Sequence, residues 1–109
     1  MEQGLEPAGA VALADAAAIR ERPGLVRAGC AFQLDPQGDA ELRVHPALVE
    51  AALANLLRNA AAYAAGAPVT LRVLAEPDRV VFQVDDHGPG VPPDERDAVF
   101  DRFTRTGEG

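Results

Sequence analysis

The stretch His45-Pro46-Ala47-Leu48-Val49-Glu50-Ala51-Ala52-Leu53-Ala54-Asn55-Leu56-Leu57-Arg58-Asn59-Ala60-Ala61-Ala62-Tyr63 decides how this chain folds. At about 100° per residue, Leu48, Val49, Ala52, Leu53, Leu56, Leu57, Ala60 and Tyr63 share one broad face. The stretch therefore reads as an amphipathic helix from Pro46 to about Ala64. Pro46 sits in its first turn, where the missing N–H is not needed, and Gly66 closes it. Asn55 and Asn59 are four residues apart, on neighbouring turns at the edge of the apolar face. Half-buried amides need partners. Either the pair caps nearby backbone groups, or its oxygens point into a site and hold polar ligand atoms or Mg²⁺. Amide oxygens suit that ion, which takes its other ligands from phosphates and water.

Downstream of this helix, Val69–Leu74 and Val80–Val84 read as a hairpin around Glu76-Pro77-Asp78. A loop rich in Gly and Pro, Asp85 to Pro93, follows, and a short helical piece is expected from Asp94 to about Phe103. Upstream, the alanine-rich run Val11 to Arg22 reads as a first helix stopped by Pro23-Gly24. Two short strands, Gly29–Leu34 and Glu41–Val44, are expected on either side of a turn at Asp35-Pro36-Gln37-Gly38. Residues 1–10 are expected to be a disordered or linking start, and 11–109 a single domain.

The chain has 109 residues, enough for one small core. Apolar residues make up 48% and aromatics 5%, so alanine and leucine must fill that core. The formal net charge is −7, and all ten positive residues are arginines. That balance argues against nucleic-acid binding, which needs a basic face, and the absence of lysine excludes a Walker-type phosphate loop. Cys30 is alone and cannot pair within the chain, so a reducing compartment is the default, and the expected location is the cytoplasm, either as such or as the cytoplasmic part of a membrane sensor. No apolar run approaches the roughly 20 residues of a membrane span, and no membrane contact is expected from this segment. His45 reads as a capping or edge residue and Cys30 as a small core residue.

Two further motifs carry chemistry. In Asp85-Asp86-His87-Gly88-Pro89-Gly90, two glycines bracket a proline just after a strand, so the backbone can hug a ligand that side chains would block. In Phe100-Asp101-Arg102-Phe103-Thr104-Arg105, the two phenylalanines face the core at i, i+3 while Arg102 and Arg105 share another face. The asparagine helix resembles the N box of sensor histidine kinases at Pro46, Leu53, Asn55, Leu56, Leu57, Asn59, Ala60 and Tyr63. Asp86-x-Gly88-x-Gly90 resembles the first glycine box, and Phe-x-Arg-Phe-x-Arg the F box. The three occur in the family's order, and the resemblance covers the chain from about Val11 to its end.

The resemblance implies an ATP- and Mg²⁺-binding domain. Asn59 binds the metal and Asn55 supports it, with Tyr63 in the same ATP-binding set. Asp86 accepts a hydrogen bond from the exocyclic amine of adenine, and Gly88 and Gly90 line the pocket. Arg105, with Arg102 second, contacts phosphate through its planar fork. Asn55 and Arg105 are the candidates for a catalytic part. Two positions depart from the family: Ala51 stands where an acidic or amide residue is proposed as a base, and Ala62 where a basic residue touches phosphate. Glu50 lies about 100° around the helix from Ala51 and is a poor substitute. A second glycine box of the type G-x-G-L-G-L does not follow before Gly109, so the domain is expected to be C-terminally incomplete.

The implied fold is an α/β two-layer sandwich, a mixed sheet with helices on one face. The implied activity is transfer of the γ-phosphoryl group of ATP to a histidine. Neither His45 nor His87 has the phosphoacceptor context, so that histidine belongs to a dimerisation domain in cis or in trans, with a response regulator downstream. Two alternatives stand beside this reading. One is a noncatalytic nucleotide-binding or partner-docking module, favoured by Ala51, Ala62 and the missing box. The other is an anti-sigma-factor serine kinase of the same superfamily, disfavoured by the Phe-x-Arg-Phe-x-Arg segment.

Overall fold

A computed structural model describes residues 4–86 and 94–101, and in the last stretch the side chain of Phe100 alone. The elements run β1 (Glu6–Gly9), α1 (Ala10–Arg27), β2 (Phe32–Gln37), β3 (Glu41–Val44), α2 (Pro46–Tyr63), β4 (Val69–Ala75), β5 (Arg79–Asp86) and β6 (Asp94–Asp101). One sheet has the order β2-β4-β5-β6, with β2 parallel to β4 and the other pairs antiparallel. A separate ladder joins β1 to β3. The mixed sheet under two helices is the expected α/β sandwich.

Strand alternation sorts the sheet into two faces. Val69, Leu71 and Val73 of β4 and Val80, Phe82 and Val84 of β5 are buried beneath the helices. Ala10, Leu13, Ala14, Ala17 and Leu25 of α1 and Val49, Leu53, Leu57 and Ala60 of α2 meet them in one cluster. Small alanines let the helices approach the sheet and each other closely, which answers the scarcity of aromatics. On the other face, Arg72 reaches across three strands to Asp35, Gln83 and Asp85.

Four expectations from sequence are corrected. The first helix does not stop at Pro23-Gly24 but runs through both to Arg27. Pro23 deletes the bond to the carbonyl of Ile19, on a face where Ile19 is 65% exposed and water can take its place. The stop is Gly29 at φ +77, in a Schellman arrangement: Cys30 N–H donates to Leu25 O at 2.9 Å and Gly29 N–H to Val26 O at 2.9 Å. At the other end of α1, Asp39 Oδ1 accepts from Val11 N–H at 3.0 Å, a cap supplied from outside the helix.

The start of the chain is the second correction, since Glu6–Gly9 pairs with β3 from Glu6↔Val44 to Gly9↔Glu41. Consequently β2 and β3 are not partners, and Asp35-Pro36-Gln37 continues β2 instead of turning. Pro36 is tolerated because β2 is an edge strand, where a missing donor can face away from the ladder. The turn begins at Gly38, with φ +119.

The fourth correction is the segment from Asp94, a strand to Asp101 and not a helix. It pairs with the open side of β5 from Asp86↔Asp94 to Arg79↔Asp101, satisfying backbone groups that would otherwise line a bare edge. Phe100 packs edge-on against Phe82, with centroids 5.7 Å apart and rings at 75°, so its expected core role holds.

Candidate nucleotide site

Helix α2 has three faces, and two are closed. Val49, Leu53, Leu57 and Ala60 meet the sheet, while Ala54 is buried on the flank of α1. Arg58 stands 3.9 Å from Glu21 of α1 across that flank. The third face carries Leu48, Ala52, Asn55, Asn59 and Tyr63, at steps of three or four residues along one stripe. Leu48 is 66% and Tyr63 74% exposed, Ala52 and Asn55 are exposed, and Asn59 is half-buried. The broad apolar face read from the sequence is therefore split. Leu48, Ala52 and Tyr63 belong with the asparagines on the open side, because the sheet accepts only one stripe of a straight helix.

Asp86 ends β5 and is 5% exposed. By alternation it shares the helix-facing side with Val80, Phe82 and Val84, whereas Asp85 turns to the outer face. Its ladder partner on β4 is Val69, the first residue after the short connection from α2. The last turns of α2 and the Asp86 end of β5 thus lie at the same end of the domain. Gly66 carries φ +84 in that connection, and its N–H donates to Ala28 O at 2.9 Å, tying it to the end of α1.

The structure thus places Asn55, Asn59 and Tyr63 on one open stripe and Asp86 at the neighbouring strand end. Gly88, Gly90, Arg102 and Arg105, and with them His87 and Phe103, lie outside the described residues. His45 precedes α2 as its N-cap without a side-chain cap bond, and its carbonyl accepts from Leu48 and Val49. Cys30 is buried as expected, with Sγ 3.5 Å from Ala64 O.

Sequence reading missed Arg72. Its Nη1 donates to Asp85 Oδ2 at 3.0 Å and to Gln83 Oε1 at 3.3 Å, and its Nε stands 3.4 Å from Asp35 Oδ2. The hydrogen bond to Asp85, first, and the two carboxylate charges hold the guanidinium above its ordinary pKa despite some desolvation. Nothing local marks this cluster. Its three acceptors come together only through the strand register, in which Asp35 and Gln83 flank Arg72.

A donor set for a metal can be tested on these residues. Among the described residues no three His, Cys, Asp or Glu side chains come together as a cation cage. The stripe of α2 instead offers neutral amide oxygens. Such donors fit an ion that arrives with a nucleotide and keeps phosphate and water as its remaining ligands.

Comparison with known proteins agrees with this geometry. Residues 44–109 match the family described as histidine kinase-, DNA gyrase B-, and HSP90-like ATPase. The signal transduction histidine-protein kinase AfsQ2 of Streptomyces coelicolor is 38% identical over 73 residues, 67% of this chain and 14% of that protein. The sensor histidine kinase CpxA of Escherichia coli is 37% identical over 73 residues, 67% of this chain and 16% of that protein. The chain thus spans about a seventh of the length of these curated relatives. Among solved structures, the catalytic domain of the histidine kinase ThkA superposes with a TM-score of 0.72 at 16% identity, covering 84% of this chain and 64% of that one. The histidine kinase domain of the Escherichia coli osmosensor EnvZ gives 0.63 at 30% identity, covering 84% and 55%. The match over residues 44–109, more than half of the chain, shows that it belongs to the family of histidine kinase-, DNA gyrase B-, and HSP90-like ATPases.

Proposed function

We propose that this chain is the ATP-binding catalytic domain of a two-component sensor histidine kinase. The observation that carries the reading is the open stripe of α2. A helix with two packed faces has kept a third that bears two amides and a tyrosine, at the end of the domain where Asp86 is buried. An exposed amide at Asn55 and a half-buried one at Asn59, on consecutive turns, lie outside the core, and family membership points to the ligand that uses them.

In this reading Asp86 accepts a hydrogen bond from the exocyclic amine of adenine, and the glycines at 88 and 90 border the base. Asn59 would hold Mg²⁺, with Asn55 supporting it and Tyr63 beside the nucleotide. Bound there, the ion would supply positive charge to offset that of the nucleotide phosphates. Arg105 and Arg102 grip phosphate oxygens through a bidentate fork. An imidazole nitrogen of a histidine on a dimerisation domain attacks the γ-phosphorus, the bond to the bridging oxygen breaks, and ADP leaves. The chain contributes position and charge to this step more than covalent chemistry. ThkA is known in complex with the response regulator protein TrrA, and a response regulator is the proposed acceptor downstream here. Among the described residues no helix is long and apolar enough to cross a membrane, and the proposed location is the cytoplasm.

A second reading, a nucleotide-binding module without transfer activity, is favoured by Ala51 and Ala62. Both lie beside the stripe, where the family places a base and a phosphate contact. Calorimetric titration with Mg²⁺ and ATP, beside Asn59→Ala and Asp86→Ala, tests what the two readings share. Both variants lose binding if the site is assigned correctly, and a folded wild-type chain that takes up no ATP defeats both. Labelled ATP with a cognate dimerisation domain separates them: phosphohistidine supports the kinase, and binding without transfer supports the module.

A further inference from the structure

Helix α1 is apolar on two sides. Its inner side, with Leu13, Ala14, Ala17 and Leu25, is buried in the core cluster. Its outer side carries Ala12, Ala16, Ile19, Pro23 and Val26, at alternating steps of four and three residues. That spacing is the seam by which one helix packs along another. Ile19 and Val26 are each 65% exposed, and Ala12 and Pro23 are exposed as well. Among the described residues four large apolar side chains are exposed. Leu48 and Tyr63 border the stripe of α2, and the other two share this seam. A helix that is apolar on opposite sides belongs between two layers, and the described residues supply only the inner one.

Charge flanks the seam. By helical position Arg20 and Arg27 lie along one side of it, and Arg22, with Asp15 two turns before it, along the other. In a helix pair these are the positions that meet the partner's own flanking charges. The guanidinium of Arg22 lies over the ring of Phe32, 5.2 Å from its centroid. Glu21 is turned inward, its side chain 13% exposed, and stands 3.7 Å from Arg20 and 3.9 Å from Arg58 of α2. Two arginines share that one acid, so this end of α1 is basic in a chain whose net charge is −7. An apolar centre with an arginine rim is the anatomy of a protein interface, and the guanidinium fork selects carboxylates. A second copy offers one Asp15 against three arginines, so like charges would predominate across a self-pair. We propose that the outer face of α1, from Ala12 to Arg27, docks an acidic helix of a partner protein. The partner's apolar ridge seats along Ile19, Pro23 and Val26, and its flanking carboxylates pair with Arg20, Arg22 and Arg27. The small side chains of Ala12 and Ala16 let the two helices approach closely at the other end. None of these residues belongs to the candidate nucleotide site, and the inference stands apart from that reading.

The test titrates the full chain against two labelled synthetic helical peptides of three heptads, followed by fluorescence anisotropy. Both carry leucine along the seam; one has glutamate at the flanking positions and the other lysine, and the repeated like charge keeps each from pairing with itself. The glutamate peptide should bind about tenfold tighter than the lysine peptide, the sum of three exposed ion pairs set against three like-charge contacts. Reversing the rim with Arg20→Glu, Arg22→Glu and Arg27→Glu together, in a protein shown by circular dichroism to be folded, should invert that preference. Ile19→Ser with Val26→Ser should abolish binding of the glutamate peptide. Equal binding of the two peptides, a preference that the charge reversal does not invert, or an affinity unmoved by the loss of Ile19 and Val26 overturns the inference. Should the triple variant fail to fold, Arg20→Glu and Arg22→Glu replace it singly; each should narrow the preference, and an unchanged preference overturns the proposal. Sedimentation of the wild-type chain as a dimer that Ile19→Ser with Val26→Ser dissociates would make the occupant a second copy. Binding to phosphatidylserine vesicles, with neither peptide bound, would make it a membrane surface. Either result overturns the proposal of an acidic helix.

Discussion

Replacing Asp86 by Asn separates binding from folding more sharply than any other single change in this chain. The side chain keeps its volume at a position 5% exposed, so no cavity opens beneath α2. What changes is charge and hydrogen-bond sense. A hydrogen bond to a charged acceptor contributes about 1.5–3 kcal/mol, which is roughly 10- to 150-fold in affinity. The amide can also turn an N–H toward the adenine amine, donor against donor, which pushes the loss toward the upper end. Stability should move the other way or not at all, because a buried carboxylate carries a desolvation penalty that the amide does not. Calorimetric titration with Mg²⁺ and ATP, paired with a thermal melt of each protein, reads both quantities. The expected pattern is a binding loss of at least about tenfold at an unchanged or higher melting temperature. Binding retained within about threefold would remove Asp86 from the site. Loss of binding alongside a falling melting temperature would make Asp86 a structural residue whose effect on ATP is indirect.

Three further outcomes follow from the packing. Leu53→Ala empties a fully buried position between α2 and the sheet and should cost about 2–5 kcal/mol in urea denaturation, a large share of the stability of so small a domain. Asp39→Ala removes the remote cap on α1, a bond of 3.0 Å to Val11 N–H; it should lower the unfolding free energy by about 1 kcal/mol, shifting the denaturation midpoint down with no change in slope. Gly24→Ala and Gly29→Ala should act in opposite directions. Gly24 is helical, with Arg27 Nη2 at 3.9 Å the nearest atom to an added Cβ, so alanine there gains about 0.4–1 kcal/mol. Gly29 at φ +77 loses about 1–2 kcal/mol. A melt in which both substitutions stabilise would contradict the helix end at Arg27.

The parts of the fold legible in sequence are those fixed by local period. Helix α2 runs over Pro46–Tyr63 because a 3.6-residue repeat follows a proline at its first turn, and the hairpin of β4 and β5 follows from two apolar runs around Glu76-Pro77-Asp78. The misread parts turn on residues whose meaning depends on neighbours elsewhere in the chain. Pro23 reads as a stop, yet it sits on a face where a lost hydrogen bond meets water. Pro36 reads as a turn, yet an edge strand tolerates it. Asp94–Asp101 carries helix-like spacing at Phe100, but the open side of β5 and the ring of Phe82 give it better partners. The parallel pairing of β2 with β4 brings together segments separated by an entire helix, and no short-range signal announces it.

The candidate site divides in the same way. Asn55, Asn59 and Asp86 can be nominated from sequence because each stands in a motif whose residue types and spacing are local. Their surroundings are not, since periodicity locates the apolar boundary of α2 but not the partner that covers each side. Leu48 and Tyr63 count as apolar on a wheel, and only the positions of the sheet and α1 reveal that they border the open face. Arg72 is the extreme case: by sequence an ordinary charge on a strand, by register the counter-ion of Asp85. A local motif can therefore nominate candidate nucleotide contacts, while the ion pairs beside them are made with strands the motif does not contain. The pairing of Arg72 with Asp85 makes this concrete, because the carboxylate proposed for adenine is one residue along from an acid that pairs with an arginine on a different strand.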